Sequence, residues 1–171
     1  MSPSPDLDSS TLEQQIQRLN DIEAIKQLKY RYVHAMTYSD WDALEATLTE
    51  DVQTSYSDGK YTFSSREDVL NLLRSSHDEA MHNIIAYWHV TMPIIEITGP
   101  DTATGSWGMY HRYIDRGERN VEEEQFAFYE DEYLRTADGW KISRTGYQRI
   151  MEQGFSRSDI PSLKFNATRF D

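Results

Sequence analysis

The sequence predicts an α+β domain, with helices packed on one face of a curved antiparallel sheet, and three observations carry that reading. Apolar residues recur at helical spacing in the segments that precede Ser76. From Ile84 onward, four runs rich in β-branched and aromatic residues replace them. Turn-forming clusters, Gly99-Pro100-Asp101, Asp115 to Asn120 and Ala137-Asp138-Gly139, separate those runs.

Taken in order, the opening MSPSPDLDSS has neither a basic stretch nor an apolar core, so residues 1–10 read as a lead-in rather than a secretory signal. From Leu12 to Met36 the stripe Leu12, Ile16, Leu19, Ile22, Ile25, Leu28, Tyr32 and Met36 predicts one long helix or two abutting ones, with Tyr32 inward and Tyr30 and His34 outward. SDWDALEATLTEDV predicts a second helix, capped by Ser39 or Asp40, with Trp41, Leu44 and Leu48 as its apolar face. QTSYSDGKYTF reads as a hairpin around Asp58-Gly59, and SSREDVLNLLRSS as a third helix with Val69, Leu72 and Leu73 inward. IIAYWHVTMPIIEITG, TATGSWGMYHRYID, EEQFAFYEDEYLRT and WKISRTGYQRIM then form the sheet. The domain is placed at residues 11–154, and residues 155–171 form a polar tail with scattered aromatics.

Composition narrows the function. The 171 residues suit one domain, and 38% hydrophobic against 27% charged residues is a globular balance. A formal net charge of −12 repels phosphate backbones, so nucleic acid is not an expected partner. The absence of cysteine excludes disulfides, thiolate metal sites and a thiol nucleophile. No apolar run approaches a membrane span, and a cytoplasmic location is expected. His77 and His82 flank Asp78 and Glu79 at a spacing poor for metal binding, so that segment reads as solvated surface and no metal is expected. The run Glu122-Glu123-Glu124 reads as a solvated strand entrance.

Three stretches carry a resemblance. IKQLKYRYVHAMTYSDWDALEATLTEDV offers a helix-borne tyrosine, then Asp-Trp, a helix and an acidic stop. TGPDTATGSW resembles a "GDxA" hairpin, and YEDEYLRTADGWKISR a closing Y-x-D-x-Y-x-R-x-x-x-G-W-x-I signature. Together, over roughly residues 20–150, they resemble the SnoaL-like branch of the nuclear-transport-factor-2-like cone fold. That group includes scytalone dehydratase, bile acid 7-alpha-dehydratase, hexachlorocyclohexane dehydrochlorinase, ketosteroid isomerase and polyketide cyclases. The resemblance implies a cone-like curved sheet wrapped around the three helices, a deep apolar cavity and acid–base chemistry without a cofactor. A dry cavity makes a carboxylate or imidazole a usable base near neutral pH.

The resemblance also nominates residues. Counting back from Trp41, the dehydratase tyrosine is Tyr32, and the acidic position five residues later holds Thr37. With Met92 taken at the position of a family asparagine, the family histidine position holds Trp88, and His89 follows it. Alternation along a strand then turns His89 away from the cavity unless a bulge between residues 85 and 92 restores it. His111 falls where scytalone dehydratase carries a second histidine, and Arg144 near a basic position of the closing strand. Each has a plainer reading: Tyr32 as a core tyrosine, Arg144 in a surface ion pair, His111 out of register. The candidate catalytic set is Tyr32, His89, His111 and Arg144, with Thr37, Trp88, Met92, Trp107 and Phe128 lining the cavity. The expected function is a dehydratase, isomerase or cyclase acting on a hydrophobic, oxygenated small molecule, in a homo-dimer or trimer. The alternatives are a non-catalytic cavity protein that binds an apolar ligand and a structural β-subunit of the aromatic-ring dioxygenase kind.

Overall fold

Thr11 starts the first helix: its hydroxyl accepts from the Gln14 N–H, and the Gln14 side chain accepts from the Thr11 N–H, a reciprocal cap. The structure, a computed structural model, describes residues 10–77 and 83–170. Helix α1 runs unbroken over Leu12–Tyr38 and stops where Ser39 turns left-handed at φ 58°. Its apolar stripe is buried only from the second half on: Leu12, Ile16 and Leu19 are exposed, while Ile25, Leu28, Tyr32 and Met36 enter the core. Asp21 is buried mid-helix as an acceptor for Gln17, Trp140 Nε1 and Arg135.

The second helix is shorter than its periodicity predicts. α2 covers only Trp41–Glu45, capped by Asp40, and strand β1 already begins at Leu48 (Leu48–Tyr56). The β-branched Thr47, Thr49 and Val52 favour the extended chain there, and Leu48 buries its side chain from the strand instead. Ser57, Asp58 and Gly59 all take positive φ and turn β1 into the short β2 (Tyr61–Phe63). Ser65 caps α3 (Arg66–His77) by accepting from the Asp68 N–H at 3.2 Å. Strands β3 (Ile84–Ile97), β4 (Thr102–Asp115), β5 (Val121–Thr136) and β6 (Gly139–Ser156) follow as an antiparallel meander. The tail, residues 157–170, returns to α1, where Arg169 donates to the Thr37 carbonyl at 2.7 Å and the Ser39 hydroxyl at 3.1 Å.

The sheet has six strands in the order β2-β1-β6-β5-β4-β3, and β1 lies parallel to β6. The antiparallel meander expected is present, and the parallel β1–β6 pairing extends it into a mixed, unclosed sheet. Its concave face carries rows of side chains set by the strand register. Ile142, Tyr133 and Ala103 form the closed end against Leu48; Thr145, Asp131 and Gly105 come next. At the open end lie Trp88, His111, Gln125 and Glu152, one from each meander strand.

The closing signature has a physical reading. Tyr129, Asp131 and Tyr133 alternate onto the concave face of β5, where Asp131 Oδ2 meets the Lys29 ammonium at 2.7 Å, both side chains fully buried. Tyr133 donates to the same carboxylate at 2.8 Å and accepts from Trp107 Nε1 at 2.9 Å. Arg135, over the Trp140 ring at 4.5 Å, pairs with Asp21 at 2.6 Å. The motif thereby fastens the sheet to α1 with two buried carboxylates. Glu122, expected in solvent, is buried too, between Arg112 and Arg157.

Candidate functional site

The open end of the cone forms a pocket of about 310 Å³ between the end of α3, the β1–β2 turn and the four meander strands. Trp88, His111 and Gln125 present from the sheet, His77 from the last turn of α3, and Tyr147 and Glu152 from β6. Larger depressions of about 400, 450 and 510 Å³ lie elsewhere. The first two have ion-paired rims, at Arg112–Glu122 and Arg149–Asp58, and the third lies along the outer side of α1; none of them joins imidazoles to the concave face. Chemistry, not volume, selects the smaller pocket.

Register places His111 directly across from Trp88, and the two rings stack with centroids 4.3 Å apart. The His111 Nε2 atom is buried without a hydrogen-bond partner among the described residues. Burial first, and the nearby His77 second, push its pKa down to about 4, so at neutral pH it is an uncharged imidazole. His77 lies against the same indole at 5.4 Å and edge-on to Trp41 at 5.3 Å. Its Nδ1 sits 2.7 Å from the Leu73 carbonyl, which can only accept, so Nδ1 carries a proton. The sequence reading of His77 as solvated surface is corrected here: α3 turns its last side chain into the core. Its companions Asp78, Glu79 and His82 lie outside the described residues.

Thr37 and Trp88 meet at the α1–β3 junction, the Trp88 N–H donating to Thr37 Oγ1 at 3.4 Å. Behind them, Tyr32 is fully buried and shares a 3.1 Å hydrogen bond with the Tyr56 hydroxyl. Burial raises both phenols well above their ordinary pKa, so both stay protonated. Tyr56 packs on Tyr147 at 5.9 Å, which separates this pair from the pocket, and Tyr147 is hydrogen-bonded to Ser57 at 3.0 Å.

Other nominated residues lie away from the pocket. His89 pairs across the sheet with Tyr110, on the face opposite Trp88, and is exposed. The bulge of β3 falls between Thr91 and Ile94, with Met92 at φ 51°, too late in the strand to rotate His89 inward. Met92 itself swings to the outer face, 61% exposed, and Phe128 alternates outward beside Phe126. Arg144 is exposed and faces Glu132 at 3.5 Å in a surface ion pair. Trp107 is in the core, on the concave face but deeper than the pocket.

Gln125, Tyr147, Glu152 and Lys29 were not nominated. A signal for Gln125 was present: period-two alternation from Tyr133 through Asp131, Tyr129 and Ala127 leads to it. Lys29 stands four residues after Ile25, on the buried stripe, where its charge disguised it.

Among the described residues no group of acidic or histidine side chains has the geometry to hold a metal ion, and no helix is long and apolar enough to cross a membrane. The sequence model of the SnoaL-like domain matches residues 17–146. The chain superposes on a scytalone dehydratase-like protein of Novosphingobium aromaticivorans with a TM-score of 0.73 at 16% identity, covering 81% of this chain and 90% of that one. With a hexachlorocyclohexane dehydrochlorinase, LinA type 3, of Novosphingobium barchaimii the TM-score is 0.72 at 19% identity, over 90% and 99% of the two chains. An NTF2-like protein of Novosphingobium aromaticivorans gives 0.69 at 20% identity, over 85% and 92%. These likenesses show a shared fold, and the family match covers most of the chain: the protein belongs to the SnoaL-like domain family.

Proposed function

We propose that this protein is a lyase or isomerase that moves a proton on a hydrophobic, oxygenated small molecule, using its own imidazoles and no cofactor. The observation that carries the reading is the half-buried, uncharged His111, whose Nε2 is buried with no partner among the described residues, in a pocket that also holds His77. At about pH 4 the His111 pKa is too low for an efficient base at pH 7, so its role is to hydrogen-bond the substrate oxygen as negative charge develops there. His77, held through its Nδ1 by the Leu73 carbonyl, is the second imidazole of the pocket and the group that takes the proton from the neighbouring carbon. Return of that proton to another carbon is isomerisation. Its departure with a β-hydroxyl group is dehydration, the substrate yielding an alkene and one water.

The test is exchange of α-protons into D₂O for a bicyclic ketone such as 2-tetralone, followed by NMR. Exchange above the buffer rate that falls about 10²-fold or more in His77→Asn and in His111→Asn supports the reading. Exchange no faster than buffer, across a panel of bicyclic ketones with and without a free hydroxyl group, sinks it. The rival, a non-catalytic ligand-binding protein, is favoured by one feature: Thr37 and Trp88 occupy the two positions where the family resemblance expects an acid and a histidine. A homo-oligomer is part of the proposal, supported by exposed Met92, Ile94 and Ile150 on the outer face of the sheet.

A further inference from the structure

Gln125 sits on β5 directly opposite His111, lines the same pocket, and is only 5% exposed. Its amide orientation is settled by a neighbour. Gln125 Nε2 donates to Glu152 Oε2 at 2.5 Å, and a carboxylate can only accept, so the NH₂ end must face it. Glu152 is held in turn by Arg149 at 3.2 Å, and Arg149 closes on Asp58 through its side chain at 2.7 Å and its backbone N–H at 2.9 Å. The chain Asp58–Arg149–Glu152 therefore fixes which end of the amide is left over. That end, Gln125 Oε1, is buried with no hydrogen-bond partner among the described residues.

A buried carbonyl oxygen without a donor is costly, and native proteins rarely keep one unless something supplies the donor. Across the β4–β5 pairing lies His111, whose Nε2 is likewise buried with no partner among the described residues. We propose that Gln125 is a specificity residue whose Oε1 accepts a hydrogen bond from a substrate hydroxyl bound between it and His111. The proposal rests on the pocket assigned above and adds the substrate class: a neutral molecule bearing a free hydroxyl group. A hydroxyl can donate to Gln125 and still accept from the imidazole, whereas an ether or a ketone cannot make the first bond. The pocket lining carries Glu123, Glu124 and Glu152 against one cation, Arg119, which is paired with Glu123, and this balance disfavours a carboxylate or phosphate.

The experiment is calorimetric titration of the full chain with 2-naphthol, 2-methoxynaphthalene and naphthalene. Wild type is expected to bind 2-naphthol about tenfold or more tightly than 2-methoxynaphthalene. Gln125→Met, close in volume and unable to accept, should bring the two within about threefold, chiefly by weakening 2-naphthol. Glu152→Gln, which leaves Gln125 in place but removes the group that orients it, should narrow the gap as well. That arm stands if Gln125→Met fails to give a cooperative thermal melt. Equal binding of the two probes by wild type, or a gap that survives the substitutions, overturns the role of Gln125 while the pocket stands. If none of the three compounds binds, the pocket itself is wrong and the proposal falls with it.

Discussion

The backbone N–H of Trp88 donates to Thr37 Oγ1 at 3.4 Å, so the last turn of α1 and the pocket-facing end of β3 are tied at the two positions where a His–Asp dyad is expected. Thr37 can receive a hydrogen bond but cannot stabilise an imidazolium by charge, and Trp88 has no basic nitrogen. The imidazoles have moved instead: one is donated by β4 and one by the end of α3, and both lie against the indole. Thr37→Val keeps the shape of the side chain and removes the acceptor. Its expected cost is about 1 kcal/mol in urea unfolding, with a shift in tryptophan emission. An unchanged midpoint and spectrum would show that the contact holds nothing.

His111 should make the protein acid-sensitive. Its folded pKa, about 4, lies below the ordinary 6.5, so the unfolded chain binds a proton that the folded one refuses. Stability from this group is therefore complete above pH 6.5 and is lost as pH falls toward 4, by up to about 3 kcal/mol. His111→Phe retains the stacking on Trp88 and removes the titration. Between pH 6.5 and 4 its unfolding free energy should fall by less than that of wild type, and parallel curves for the two proteins would refute the account.

His89 and Arg144, the residues that a strand histidine and a closing-strand cation would nominate, should be dispensable. Both are exposed on the outer face, and Arg144 is engaged with Glu132. In the D₂O exchange assay, His89→Ala and Arg144→Ala are expected within about twofold of wild type, against the loss predicted for His111→Asn. A comparable loss in His89→Ala would move the site to the other side of the sheet.

How much of this was readable in advance depended on which physical rule decided each element. The helical stripe from Ile25 to Met36, the Asp58-Gly59 turn and the four meander strands are local patterns, and periodicity and turn chemistry expose them. α2 failed as a helix beyond Glu45 because Leu48 and Gln53 to Ser55 join a parallel pairing with β6, a contact distant in sequence. The site was half legible. Alternation, once Trp88 was fixed, correctly made the orientation of His89 the question, but which strands lie opposite it is a matter of register. His77 was invisible for a related reason: a histidine at a helix end reads as solvent until the strand that covers it is known. Charge misled twice. Lys29 and Glu122 are both buried, because each meets a partner that the chain brings from far away.

The Lys29–Asp131 pair gives the sharpest stability test. The ammonium and carboxylate are 2.7 Å apart with neither side chain exposed, and the ammonium also lies 3.6 Å from the centre of the Tyr129 ring. Burial lowers the Lys29 pKa while the Asp131 carboxylate draws it back up, so the charge persists only as long as its partner does. Lys29→Met removes the cation and leaves Asp131 in the closed end of the cone with the Tyr133 hydroxyl as its remaining donor. The expected loss is about 3–5 kcal/mol by urea unfolding. Replacing both, as Lys29→Met with Asp131→Leu, removes the uncompensated charge and should recover most of that loss, since a buried ion pair is worth little more than apolar packing of the same volume. A single variant as stable as wild type, or a double variant worse than the single, would mean that the two charges do not depend on each other.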